Sequence, residues 1–181
     1  MGRKYYLALP FGKAIFLGRA YMNKFGFYII KDEYFTRFND PYLKGNKTEN
    51  RPYYYCFEDE TNGLYWLIPM SSRIGKYKNI IIKKQEQHKP CDILHVCKLG
   101  SGKDSVFLIQ DMLPVTDRYI LRPYTFAGEP LILIKDKDRR IVAQKAKRIL
   151  NLIQQGVKIM PLQADVMKIK LELMNDLTVT V

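Results

Sequence analysis

Two apolar, β-rich runs, Tyr53 to Glu58 and Leu64 to Met70, flank a turn containing Asn62-Gly63, and this pairing constrains the chain more than any other feature of its sequence. Asn-Gly accepts the positive φ angles of tight hairpin turns, so the two runs are read as neighbouring antiparallel strands. Further strand-like runs lie at Phe25 to Ile30, Asn79 to Lys83, Asp92 to Lys98 and Ser105 to Gln110, the last two joined by Gly100-Ser101-Gly102-Lys103. Short strands linked by tight turns favour a strongly curved antiparallel sheet or small barrel over a parallel α/β sheet.

Helical patterns are expected in a short segment, Lys31 to Phe38, and in the C-terminal part. From Asp138 to Gln155, Ile141, Val142, Ala146, Ile149, Leu150 and Ile153 recur at helical spacing, and Gly156 supplies a stop. A second helix is expected over Leu162 to Met174, opened by Pro161, with Val166, Ile169, Leu171 and Met174 as its buried stripe. The expected class is α+β: a twisted β core with peripheral and C-terminal helices. Met22 stands just before the first strand-like run, so residues 1–21 are read as a candidate N-terminal extension and 22–181 as one domain.

Thirty Lys and Arg against eighteen Asp and Glu leave a net charge of +12, which attracts polyanions. Thirteen Tyr and nine Phe add flat faces on which unpaired bases can stack, so RNA or single strands are the favoured partner class. The three cysteines, Cys56, Cys91 and Cys97, are too few and too uneven for a disulfide framework, which fits a reducing cytoplasm. Pro10 and Lys13 interrupt the only patchy apolar stretch near the start, and no run reaches the roughly 18–20 apolar residues of a membrane span. A soluble, cytoplasmic protein without a membrane partner is expected.

Several chemistries fit poorly. Glu58-Asp59-Glu60 at the hairpin tip and Asp136 and Asp138 before a helix read as solvated turn and helix-start charges rather than a two-metal carboxylate cluster. His88, Cys91, His95 and Cys97 lie within ten residues but lack the usual zinc spacing. Gly102-Lys103 lacks both the earlier glycine and the following Ser or Thr of a nucleotide phosphate loop, because those positions hold Cys97 and Asp104. The strand-rich half carries no helix-turn-helix pattern. Neither metal nor cofactor is expected.

One segment reads differently: the apolar strand ends at Pro69, and Ser71, Ser72, Arg73, Lys76 and Lys78 follow at once. Hydroxyls and cations gathered on one segment can hold a phosphate and offset charge that develops during phosphoryl transfer. The ordinary alternative is a turn with solvated charges.

The segment Trp66 to Lys78 resembles the Pro-x-Ser/Thr-Ser plus lysine signature of the type III toxin–antitoxin endoribonucleases, the ToxN and AbiQ group and its CptN-type branch. Phe27-Tyr28-x-Ile30 followed by Tyr34, and Arg51 before the first hairpin strand, resemble the family's opening layout. The resemblance implies a compact, barrel-like β core akin to the Kid and MazF toxins, metal-independent RNA cleavage, mRNA as substrate, and a repeated structured RNA antitoxin that silences the toxin in a closed protein–RNA assembly. It implies catalytic roles for Tyr34, Arg51, Ser71 and Ser72. The family lysine would fall at Ile74, so its role passes to Lys76, with Lys78 in reserve. Arg73, Lys78, Lys83 and Lys84 are candidate RNA-binding residues. A non-catalytic, basic RNA-binding protein is the alternative, separated from the nuclease only by the Ser-Ser and lysine group.

Overall fold

The structure is a computed structural model that describes residues 22–100 and 102–179; the candidate extension over 1–21 lies outside the described residues. The elements run β1 (Phe27–Ile30), α1 (Asp32–Arg37), β2 (Tyr53–Asp59), β3 (Leu64–Ser71), α2 (Ile74–Glu86), β4 (Leu94–Lys98), β5 (Asp104–Leu108), β6 (Leu113–Val115), β7 (Ile120–Pro123), β8 (Thr125–Phe126), β9 (Glu129–Pro130), α3 (Asp136–Gln154) and α4 (Val166–Val179). Seven strands form one antiparallel sheet in the order β4-β5-β3-β2-β1-β7, with β6 added to β3. The fold is therefore α+β. Its sheet stays open, with β4 and β7 at the two ends, where a closed small barrel was the alternative expectation.

β3 is the spine of this sheet. Leu64 to Pro69 pair with β2, while on the other side Tyr65 to Leu67 pair with β6 and Met70 and Ser71 pair with β5. Pro69 falls where β3 changes partner. Because the Met70 N–H points toward β2 and bonds Pro52 O, the nitrogen of Pro69 points the other way, into the gap between β6 and β5, where no donor is required. A central-strand proline is thus tolerated. Trp66, Leu67, Ile68, Phe107 and Val115 are all fully buried around this spine.

The β2–β3 hairpin is closed by residues 60–63, with only Gly63 at positive φ (68°); the turn is longer than a two-residue Asn-Gly loop. Asp59 organises it. Its carboxylate accepts the Thr61 hydroxyl (2.6 Å) and Asn62 Nδ2 (2.9 Å), and Lys170 of α4 reaches it at 2.6 Å in a largely buried pair. Burial alone would raise the Asp59 pKa, but the bonds from Lys170, Thr61 and Asn62 outweigh it and bring it to about 2.

Two sequence expectations are corrected. Asn79 to Lys83 is helix, not strand, because the Ile80-Ile81-Ile82 run sits in a longer pattern: Ile74, Tyr77, Ile80 and Ile81 recur at three-to-four-residue spacing and pack on the core, leaving Ile82 48% exposed. The final helix starts at Val166 rather than Leu162, and its buried stripe is Val166, Ile169 and Leu173; Leu171 is 60% exposed. Among the described residues, no helix is long and apolar enough to cross a membrane.

Removing the ammonium in Lys170→Met should lower stability by about 2 kcal/mol at neutral pH, since a charge-assisted, largely buried bond is lost. Because the folded pKa of Asp59 lies below its ordinary value of 3.8, its contribution is present above that value and disappears as pH falls toward about 2. Urea titrations of both proteins across pH 2 to 7 should converge at the acid end.

Candidate functional site

The register of β2 against β3 determines what stands beside the Ser-Ser pair. Tyr53 lies opposite Pro69, so Arg51 and Pro52 run alongside Met70 and Ser71. Arg51 Nη1 donates to Met70 O at 3.4 Å. Arg51, Ser71 and Ser72 share an open cleft of about 240 Å³, together with Lys47, Asn50 and Ser105. Three of the five catalytic candidates are therefore brought together. Ser71 is 8% exposed, and its Oγ accepts the Arg73 N–H (3.2 Å), which turns the chain from β3 into α2. Ser72 is exposed at the rim.

Lys76 is exposed in the first turn of α2, outside the cleft lining, with its Nζ 5.6 Å from the Tyr77 ring. Arg73 stands exposed at the start of that helix, and Lys78 is tied to Asp104 at 2.8 Å. Lys83 and Lys84 occupy the last turn of α2, about 10 Å further along its axis than Lys76. By helical spacing Lys76, Lys83 and Lys84 share one side of α2 and lead away from the cleft, whereas Lys78 faces another way and is paired with Asp104.

Tyr34 is not part of the cleft. It is fully buried, donates its hydroxyl to Pro114 O at 2.7 Å, and meets the Phe38 and Tyr119 rings edge-on. Burial and the neighbouring Tyr53 and Tyr119 hold its pKa well above the ordinary tyrosine value, so it remains a neutral core donor. The cause is the helical spacing of α1, which turns Tyr34 and Phe38 onto one inward face.

Two groups around Arg51 carry no sequence signal. The first is the turn that delivers Arg51: Lys47, Thr48 and Glu49 have φ of 53°, 55° and 55°, three successive non-glycine residues in the left-handed region, at a cost of roughly 1–2 kcal/mol each. Asn46 holds this turn. Its carbonyl accepts the Asn50 and Arg51 N–H groups (3.1 and 3.0 Å), and its buried side chain donates to Ile30 O and to Asp32. The second is Asp111, whose pKa is raised by burial against the opposing pull of Lys44, Arg51 and Lys76. Asp111 Oδ2 and Arg51 Nε are both buried without a hydrogen-bond partner.

Potential metal donors meet elsewhere. His95 and Cys97, two apart on β4, share a side with Asp138 of α3, and one donor atom from each lies within 4.8 Å of the others. His95 Nε2 and Asp138 Oδ1 are 3.0 Å apart, a bond that ties β4 to α3. Burial lowers the His95 pKa more than Asp138 raises it, and burial pushes the Cys97 thiol up to about 12. Of the four residues that sequence proximity brings forward, only these two meet.

No protein-family model and no curated protein sequence matches the chain. Solved structures that share its fold include two from type III toxin–antitoxin systems. One is AbiQ, a lactococcal anti-phage endoribonuclease of a type III toxin–antitoxin system, with a TM-score of 0.65 at 10% identity over 86% of this chain and 99% of that one. The other comes from a bacterial type III toxin–antitoxin system in which a non-coding RNA pseudoknot selectively inhibits the toxin, with a TM-score of 0.60 at 18% identity over 84% and 98%.

If the left-handed turn is strained and held by Asn46, Thr48→Gly should raise stability by about 0.5–1 kcal/mol, and Asn46→Ala should lower it by about 2 kcal/mol by leaving the Ile30 carbonyl unpaired. Chemical denaturation of the two variants measures both signs.

Proposed function

We propose that this protein is a metal-independent endoribonuclease toxin of a type III toxin–antitoxin system, held silent by a repeated, structured RNA. The observation that carries this reading is the joining of Arg51, Ser71 and Ser72 in one open cleft, on a fold shared with two toxins of such systems.

RNA supplies its own nucleophile. The 2′-hydroxyl oxygen forms a bond to phosphorus while the bond to the 5′-oxygen breaks; the 2′ proton passes to a base and the leaving oxygen takes one from an acid. The products are a 2′,3′-cyclic phosphate and a 5′-hydroxyl. Protein groups have only to hold the phosphate in line and stabilise the crowded, doubly charged phosphorane. Arg51 can grip two non-bridging oxygens, and Ser72, exposed at the rim, can donate to a third position. Ser71 works from behind, through its bond to the Arg73 N–H, by setting where β3 ends. The start of α2 two residues after Ser72 adds the positive end of a helix to the same place. Lys76 and the cations along α2 then hold the flanking backbone, a contact whose strength falls with salt. A folded RNA that occupies the same basic surface would block substrate entry, which accounts for silencing by an RNA partner in the cytoplasm.

The second reading, a non-catalytic RNA binder, draws support from the position of Lys76 outside the cleft, which leaves Arg51 and Lys47 as its lining cations. Ser72→Ala separates the two. In a nuclease it should lower the cleavage rate about 10²–10³-fold and abolish toxicity on expression while RNA affinity persists; in a binder it should leave the growth phenotype unchanged. Cleavage should persist in EDTA and leave cyclic phosphate ends by mass spectrometry. Tyr34→Phe should instead cost about 1–2 kcal/mol of stability, by orphaning Pro114 O, and leave the cleavage rate near wild type.

A further inference from the structure

The cleft has a second kind of lining. Beside the cationic and hydroxyl groups stand Tyr124, Phe126 and Leu131. Phe126 ends β8, and the β8–β9 hairpin turns through Ala127 and Gly128, both at positive φ (53° and 87°), the two-residue turn whose twist matches paired strands. The base of this hairpin is fixed: Tyr124 N–H bonds Phe27 O (2.8 Å) and Leu131 N–H bonds Tyr124 O (2.9 Å). Leu131 also sits so close to Gly100 that a Cβ there would lie 3.2 Å from it. The tip is not covered, and Phe126 is 45% exposed.

Alternation along a strand turns Tyr124 and Phe126 to one side, and the cross-strand partner Leu131 joins them. An aromatic pair is thereby presented, on a rigid support, to a cleft whose remaining groups are suited to a phosphate. A nucleotide has this same division: a charged phosphate a few ångströms from a flat, apolar-faced base.

We propose that the Tyr124–Phe126 face is a stacking subsite for one unpaired nucleobase next to the phosphate held at Arg51 and Ser72. This deepens the RNA reading given above and rests on it. A base engaged in a duplex has no free face to offer, so the subsite selects single-stranded segments. Stacking accepts every base; Lys47 and Asn50, on the strained turn that borders the cleft, stand where a base edge would meet hydrogen-bonding groups.

The test uses the full chain and uncleavable 2′-O-methyl RNA decamers of mixed sequence, each carrying one 2-aminopurine, whose fluorescence is quenched by stacking. Wild-type protein should quench the probe. Phe126→Ala should remove most of that quenching and weaken binding about 5- to 100-fold, with an unchanged slope of affinity against salt because no phosphate contact is lost. Phe126→Trp should restore both, and an unchanged thermal midpoint for the exposed Phe126→Ala site keeps folding out of the comparison. Equal quenching and affinity in wild type and Phe126→Ala would overturn the proposal, as would an absence of binding by wild type. If quenching depends on Phe126 while wild type cleaves no RNA, the subsite stands and the nuclease reading fails.

Discussion

The bond from Met70 N–H to Pro52 O, 3.0 Å long, is the last rung of the β2–β3 ladder, and the arrangement at the cleft depends on it. With Tyr53 opposite Pro69, Arg51 has no other place to go than alongside Ser71. A slip of one residue would turn every side chain of β3 to the opposite face and put Tyr65 or Leu67 where Trp66 now lies. That register is guarded by burial rather than by the turn alone: Tyr53, Tyr54, Trp66, Leu67 and Ile68 are each at most 1% exposed. At about 25 cal/mol per Å² of apolar surface, exposing even one of these side chains costs more than a surface hydrogen bond returns.

Around that rung the structure accepts costs. Three left-handed residues in succession, at 47–49, lead into Arg51, whose Nε is buried without a hydrogen-bond partner, as is an oxygen of Asp111. Their combined expense, several kcal/mol, is a large share of the stability of an ordinary domain. Local strain of this kind persists where the surroundings over-determine it, and here Asn46, bonded to both β1 and α1, does so. In the proposed reading the reward is a guanidinium held ready for an anion, with no side-chain rearrangement at the moment of reaction.

The sheet was legible in the sequence to the extent that local and long-range demands agreed. The β2–β3 hairpin was legible as two apolar runs around a turn, both buried along most of their length, and α3 as a helical period that matches its burial. β6 and β7 were missed because strands of three and four residues, separated by a single turn, leave no period to read. α2 was misread for the opposite reason: the β-branched Ile80-Ile81-Ile82 run is a strong local strand signal that a wider amphipathic stripe overrides. At the site, the Ser-Ser pair stood out because polarity changes abruptly after an apolar strand, whereas Arg51, which precedes its strand, was brought forward only by the family resemblance. That Tyr34 lies in the core, away from the cleft, was not legible, since a tyrosine on a short helix looks the same from sequence whether its ring faces solvent or core. Phe126 gave no sign, because what marks it is its position in a cleft assembled from segments that sequence separates by dozens of residues.

In the proposed nuclease, Arg51 and Ser72 act on the same phosphodiester at the end of β3. A double-mutant cycle on the RNA cleavage rate tests it most directly. If both groups hold one phosphate, Arg51→Ala combined with Ser72→Ala should be scarcely slower than the worse single variant, a strong non-additivity. Losses that simply multiply, or single variants that cleave as wild type does, would contradict it.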